Sequence, residues 1–212
     1  MIRMGGDFVV EKYLRQSPLA HLLPHLPETA VGDQLDRMIG LCERPYLSMT
    51  ALRGQSSDSA FTGAIEKMLK ISLPEKPCSS TGDADGLHAL WLGPDEWLIV
   101  APANRTNQVD ELTMACADLH ATAVDVGESR TTLRLSGRAA PELLAKGCSI
   151  DLHPRKFTTG RVVATLLAQA HVIIHQIADM PLNGATYDLY VHRSFAEYVW
   201  IWLQDAAREY TV

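Results

Sequence analysis

His171 and His175 carry the spacing in this chain that comes nearest to a metal site, because H-x-x-x-H places two imidazoles on one face of a helix. The residues between them decide against it. Val172-Ile173-Ile174 is strongly β-forming, and in a strand positions four apart are separated by roughly 13 Å at about 3.3 Å per residue. One ion does not bridge that distance, and no Glu follows His171 where a metalloprotease needs its general base. Asp95 and Glu96 are adjacent carboxylates, but neighbours in a hairpin point to opposite faces and so do not share one substrate. Asp125 stands near a strand end before Gly127, where a sheet can present a carboxylate, and Arg130 and Arg134 are candidate anion ligands. Turn charges and cross-strand ion pairs account for these three equally well, and they are the preferred reading because no neighbour in sequence would perturb them.

The four cysteines, Cys42, Cys78, Cys116 and Cys148, form no C-x-x-C pair, so neither a zinc knuckle nor a redox dithiol is indicated. Cys116 shares a helical stripe with Val109, Leu112 and Leu119 and reads as a buried thiol. Cys148 follows a helix-ending glycine and is expected to be more exposed. No dinucleotide fingerprint, phosphate-binding loop or nucleophile elbow occurs. The sequence therefore assigns no catalytic, cofactor-binding or metal-ligating residue to this chain.

The elements around these residues are clearer than their chemistry. Leu90-Trp91-Leu92 and Trp97-Leu98-Ile99-Val100 are apolar runs joined by Gly93-Pro94-Asp95-Glu96, which reads as a β-hairpin. Before it come a strand at Leu47–Arg53 and a helix with Phe61, Ile65, Met68 and Leu69 on one face. A Ser, Gly, Asp and Pro-rich loop over 75–86 follows. After the hairpin come the Cys116 helix and a strand at Ala121–Val126, giving β-α-β-β-α-β. That order is the split βαβ, or ferredoxin-like, arrangement, with an antiparallel sheet carrying both helices on one face.

A second round begins with a strand at Thr131–Ser136 and a helix closed by Gly147. It continues with strands at Val162–Leu167, Val172–Ile177 and Thr186–Val191. Ser194-Phe195-Ala196-Glu197 matches a capping box at the start of the last helix. The fold class is thus α+β, two tandem ferredoxin-like units packed as one rigid body: residues 45–127 and residues 128–212, preceded by an extended arm over 1–44. Pro18, Pro24 and Pro27 break any helix in the arm, while its leucines suit a surface, its own or a partner's. In the last helix Phe195, Val199, Trp202 and Ala206 form one stripe, which leaves Trp200 about 160° from Trp202. Trp200 is then either covered by another element of the chain or is an anchor for another protein.

A formal charge of −6 lacks the basic footprint that phosphate neutralisation requires, which argues against nucleic-acid binding. No apolar run approaches the roughly 18 residues of a membrane span, and a cytoplasmic location is expected.

Five segments, in the same order, resemble the gamma subunit of the flavin-dependent, heterotetrameric sarcosine oxidases: Arg15-Gln16-Ser17-Pro18-Leu19; Leu90–Leu98; Asp125–Gly137; Leu143–His153; and Tyr187–Val191 with Arg193-Ser194-Phe195. The resemblance spans residues 15 to about 210. It implies a non-catalytic subunit of an enzyme that oxidatively demethylates sarcosine to glycine, with hydrogen peroxide and formaldehyde or methylene-tetrahydrofolate as products. It further implies alpha, beta and delta partner subunits, with contact chiefly to alpha, and FAD, FMN, NAD, tetrahydrofolate and zinc held by those partners. A relationship to the folate-binding aminomethyltransferase domain is implied as well, although no motif transfers folate ligands to named positions here. Candidate partner contacts are Ser17, Pro18 and Leu19 in the arm, and Trp200.

Two readings follow. A structural subunit requires an exposed apolar face and a large permanent interface, more than about 2,000 Å². A free-standing folate-binding aminomethyltransferase-like protein requires instead a central pocket with convergent polar groups, Asp125 or Arg130 among them.

Overall fold

The computed structural model describes residues 15–22, 38–180 and 182–210. The stretch containing Pro24 and Pro27, on which much of the arm reading rests, lies outside the described residues. Gly40–Arg44, assigned to the arm from sequence, forms strand β1. It pairs antiparallel with β7 (Arg130–Gly137), so this part of the chain belongs to the second sheet.

The first unit runs β2 (Ser48–Gly54), α1 (Ser59–Leu69), β3 (Ser80–Gly82), β4 (His88–Gly93), β5 (Glu96–Ala101), α2 (Gln108–Ala115) and β6 (Ala121–Asp125). Its sheet order is β3-β4-β5-β2-β6. Without β3 this is the split βαβ order inferred from the pattern of elements. The extra strand comes out of the loop over 75–86, whose Ser80-Thr81-Gly82 carries too little apolar signal to announce a strand. Helix α1 begins where Asp58 accepts a hydrogen bond from the Ala60 amide at 2.9 Å. It ends at Lys70, which adopts the left-handed conformation at φ 62°. The tryptophan hairpin forms as expected, with Trp91 opposite Trp97 and Gly93 opposite Glu96 around Pro94-Asp95.

The second unit runs β7, α3 (Ala140–Ala145), β8 (Val162–Leu167), β9 (Ala170–Met180), β10 (Gly184–His192) and α4 (Ala196–Ala207). Its order, β1-β7-β10-β9-β8, differs from the split pattern because β8, β9 and β10 pair in succession as a meander before β10 joins β7. Every strand pair in both sheets is antiparallel.

The side chains sort into three apolar clusters that define the layers. Leu52, Trp97 and Ile99 of the first sheet pack under Phe61, Ile65 and Leu112 of α1 and α2. Leu133, Leu189 and Ile174 of the second sheet pack under Leu143, Val199 and Leu203 of α3 and α4. Between the sheets, Met49, Leu90, Leu98 and Val100 meet Val162, Ile173 and Tyr190. The fold is therefore four layers, helices outside and two sheets face to face.

Three expectations about individual residues are corrected by this packing. Cys148 is buried in the second unit's core, because the turn after α3 folds inward under β8. The capping box at Ser194 does not form. Arg193–Phe195 makes a 3-10 turn, α4 starts at Ala196 with no side-chain cap, and Glu197 lies 3.4 Å from His21. Trp200 is only 2% exposed and sits in the second core with Ala196, Val199 and Leu203. The stripe inferred from sequence was rotated: Phe195, Tyr198 and Ile201 face outward, and Trp202 is half-buried against Gly147.

Candidate functional site: a polar network between the sheets

Strand register places polar side chains in rows across the inner face of the second sheet. One row is Cys42, Arg134, Asp188, His175 and Val162 on β1, β7, β10, β9 and β8. The next is Arg44, Thr132, Tyr190, Ile173 and Ala164 on the same strands. Asp188 is fully buried and is held by three hydrogen bonds, from Arg134 Nε at 2.7 Å, Arg134 Nη2 at 2.9 Å and Arg44 Nη1 at 3.0 Å. Arg134 Nη1 also reaches Asp85 of the first unit at 2.8 Å. Burial alone would weaken Arg134 as a cation. Its bonds to Asp188 and Asp85 outweigh that and raise its pKa, while the same contacts outweigh desolvation at Asp85 and lower its pKa.

Beside the ion pairs lie two buried imidazoles, with ring centroids 5.4 Å apart. His88 Nδ1 is 3.1 Å from the Asp83 carbonyl and 3.3 Å from that of Gly86, so this nitrogen carries the proton. Nε2 then accepts from the Tyr190 hydroxyl at 2.9 Å. Ser80 Oγ donates to the Gly160 carbonyl at 3.1 Å, so His175 Nε2 donates to Ser80 Oγ at 3.0 Å. His175 Nδ1 is left buried without a partner. Burial, followed by the proximity of His88 and Arg134, pushes the His175 pKa down to about 3, and burial likewise lowers that of His88. Both rings are neutral at neutral pH, and burial holds the Tyr190 phenol far above its ordinary value.

Chemically, this arrangement is committed to itself. The Ser80–His175 pair has the elements of a nucleophile and base, but the serine proton is directed to a carbonyl. No carboxylate orients Nδ1, since Asp188 is occupied by arginines. Among the described residues no three His, Cys, Asp or Glu side chains are grouped to hold a metal. His171 and His175 stand on β9 as the β-forming run between them predicts.

The other candidates resolve into local roles. Asp95 accepts from the Ser56 amide at 3.0 Å and Glu96 pairs with Arg53 at 3.0 Å. Asp125 accepts from the Gly127 amide at 2.8 Å. In the arm segment, Ser17 donates to Glu43 and accepts from the Leu19 amide at 3.0 Å. Leu19 is fully buried in the second core, and Pro18 is half-buried. Arg15 bonds Glu128 at 2.6 Å and Arg193 holds the Gln16 carbonyl. Ser17 and Leu19 therefore tie the segment to its own chain, and Trp200 packs in that chain's second core.

Surface clefts exist elsewhere. One of about 560 Å³ is walled by Leu73, Pro74, Pro77, Trp91 and Trp97, and another of about 380 Å³ lies on α4 beside Tyr198, Ile201 and Trp202. Neither contains Asp125 or Arg130. His88, Asp85, Asp188 and Tyr190 were missed from sequence. Asp188 carried a usable signal, since a carboxylate midway along Tyr187-Asp188-Leu189-Tyr190-Val191 must be paired if both faces of the sheet are covered.

With this geometry in hand, the pattern of the "Sarcosine oxidase, gamma subunit family" matches residues 53–209. The chain belongs to that family. The sarcosine oxidase subunit gamma of an Arthrobacter sp. is 32% identical over 209 residues, covering 98% of this chain and 97% of its relative. That of Corynebacterium sp. (strain U-96) is 30% identical and covers 98% of each. Among solved structures, a chain of the heterotetrameric sarcosine oxidase from Corynebacterium sp. U-96 in complex with pyrrole 2-carboxylate superposes with a TM-score of 0.82. It is 29% identical, and the match covers 94% of this chain and 97% of that one. The glycine cleavage system aminomethyltransferase T from Bartonella henselae shares the fold, with a TM-score of 0.65 at 16% identity over 90% of this chain and 57% of that one. The same two-sheet fold is thus found within a longer chain. Among the described residues no helix is long and apolar enough to cross a membrane.

Proposed function

We propose that this chain is the non-catalytic gamma subunit of a heterotetrameric, flavin-dependent sarcosine oxidase, packed chiefly against the alpha subunit in the cytoplasm. The complex demethylates sarcosine to glycine, yielding hydrogen peroxide and either formaldehyde or methylene-tetrahydrofolate. FAD, FMN, NAD, tetrahydrofolate and zinc belong to the alpha, beta and delta partners. The observation that carries this reading is the end-to-end match to gamma subunits, about 30% identical over 98% of the chain. Two structural features support it. The space between the sheets is filled by Met49, Leu98, Ile173 and Tyr190, where a free-standing folate-binding protein would need a pocket. Among the described residues, Ser80 Oγ is bonded to the Gly160 carbonyl and to His175, His88 to Tyr190, and Asp188 to Arg134.

Affinity purification of the tagged chain from its native cells tests this. Co-elution of large yellow flavoprotein chains with sarcosine-dependent peroxide production is the expected result. A colourless lone protein that binds folate would overturn it in favour of the aminomethyltransferase-like reading.

A further inference from the structure

Residues 78–88 of the first unit, comprising β3, the turn after it and the first residue of β4, reach across to the second unit. Two backbone hydrogen bonds join them to it: the Ser80 amide donates to the Gly160 carbonyl at 2.9 Å, and the Val162 amide donates to the Cys78 carbonyl at 3.0 Å. Side chains add the Ser80–His175 and His88–Tyr190 pairs and the bridges from Asp85 to Arg134 and Arg44. Met49, Leu90, Leu98 and Val100 supply the first sheet's share of the apolar layer between the sheets, and none of residues 78–88 is among its buried members. Leu87 packs on the first unit's own core. β3 is an edge strand paired with β4 alone. The segment is therefore held on the second unit by hydrogen bonds and charge, and it can leave without opening either helix-covered core.

Charged and titratable groups surround the two imidazoles. β1 supplies Cys42 and Arg44, β7 supplies Arg134, and β10 supplies Asp188 and Tyr190. Val100 of β5 and Val162 of β8 stand opposite the histidines with apolar groups, and Arg161 pairs with Ser79. Within the segment, the Asp83 carboxylate accepts from the Asp85 amide at 3.1 Å and so caps its own turn. The Arg44 and Arg134 charges are balanced by Asp188 and Asp85, and Asp85 stays ionised to below its ordinary 3.8. Cys42 and Tyr190 are held neutral by burial. A proton on either imidazole thus adds a positive charge that none of these carboxylates is free to balance. At His175 the proton would sit on a buried Nδ1 that has no partner. The rings lie 5.4 Å apart, one in each unit, so charging both sets the units against each other.

We propose that residues 78–88 are an acid-opened latch between the two units: protonation of His88 and His175 undocks the segment while each unit keeps its helix-covered core. Burial pushes His175 down to about 3 and lowers His88 as well, so the latch is closed at neutral pH. The drive to open it grows as pH falls below the ordinary histidine value of 6.5. Undocking hydrates the imidazoles and both arginines and leaves the cores in place, which distinguishes it from a loss of overall stability.

Residue-resolved amide hydrogen exchange on the full chain tests this, with rates expressed as protection factors so that the intrinsic pH dependence cancels. The Ser80 and Val162 amides read the latch, while Ile99 and Leu189, on the central strands β5 and β10, read the cores. Between neutral pH and about 4.5 the protection of Ser80 and Val162 should fall by at least about a hundredfold, the factor by which an exposed histidine outbinds His175 for protons there. Low urea should scarcely change their exchange, because undocking exposes little surface, whereas protection at Ile99 and Leu189 stays higher and falls steeply with urea. His175→Gln should reduce the acid effect at Ser80 and Val162 by at least about tenfold. If that variant does not fold, the urea series on the wild-type chain decides. Protection at Ser80 and Val162 that is unchanged by acid, or that matches the core amides in size and urea slope at about pH 4.5, would overturn the latch.

Discussion

The Tyr190 hydroxyl donates to His88 Nε2 at 2.9 Å, joining the first sheet to the second through residues 102 apart in sequence. Both groups are buried, so each depends on the other for its hydrogen bond. Tyr190→Phe keeps the ring in the apolar layer but strands the His88 lone pair away from water. The expected cost is about 1–3 kcal/mol. Urea denaturation should show a lower midpoint at unchanged m-value. An unchanged midpoint would mean that water already serves His88.

How much of this was legible in advance depended on the kind of signal. Helix α1 announced itself through Phe61, Ile65 and Leu69, and the hairpin through Trp91, Gly93, Pro94 and Trp97, because each pattern is local. Strand β1 was lost because Gly40-Leu41-Cys42-Glu43-Arg44 owes its conformation to pairing with β7, some 90 residues later. The orientation of α4 failed differently. With Phe195, Val199, Trp200, Ile201, Trp202 and Leu203 crowded together, several stripes fit one helix, and only the packing of α4 beneath β10 selects among them. The polar network was illegible as a unit, since its members come from β1, β3, β4, β7, β9, β10 and the loop that carries Asp85, and meet only when the sheets stack.

The two neutral imidazoles set a pH dependence. His175 and His88 both titrate lower in the folded chain than their ordinary 6.5, so below that pH the unfolded chain binds more protons. The stability they contribute is complete above pH 6.5. It is lost as pH falls toward the folded value of about 3 at His175. Each histidine should contribute a slope of up to about 1.4 kcal/mol per pH unit within that window. Between pH 6.5 and 5 this is separable from the carboxylates, whose losses, Asp85 included, come lower. His175→Gln should flatten the slope of unfolding free energy against pH over this range. An equal slope in the variant would show that His175 does not enter the linkage.

Asp188 balances two arginines in a site it fills completely. Asp188→Asn removes the charge but not the volume, leaving Arg44 and Arg134 with only the exposed Asp85 as counter-ion. Breaking a buried pair in this way costs about 3–5 kcal/mol. Guanidinium unfolding of the purified variant measures it directly, and a loss below about 1 kcal/mol would place the pair among the weakly coupled surface bridges.

Adjacent residues on α4 separate folding from assembly. Trp200 is buried with Val199 and Leu203, whereas Ile201 is half exposed beside Tyr198. Trp200→Ala should cost about 3–5 kcal/mol through the cavity it opens. Ile201→Ser, which removes no packing in the core, should change stability by no more than about 0.5 kcal/mol. Thermal melts of the isolated chain distinguish them. If Trp200 were instead a partner anchor, its truncation would leave the melt of the isolated chain unchanged and weaken only the complex. A large downward shift of the melt for Trp200→Ala, with none for Ile201→Ser, assigns Trp200 to the fold and leaves Phe195, Tyr198 and Ile201 as the outward side of the helix.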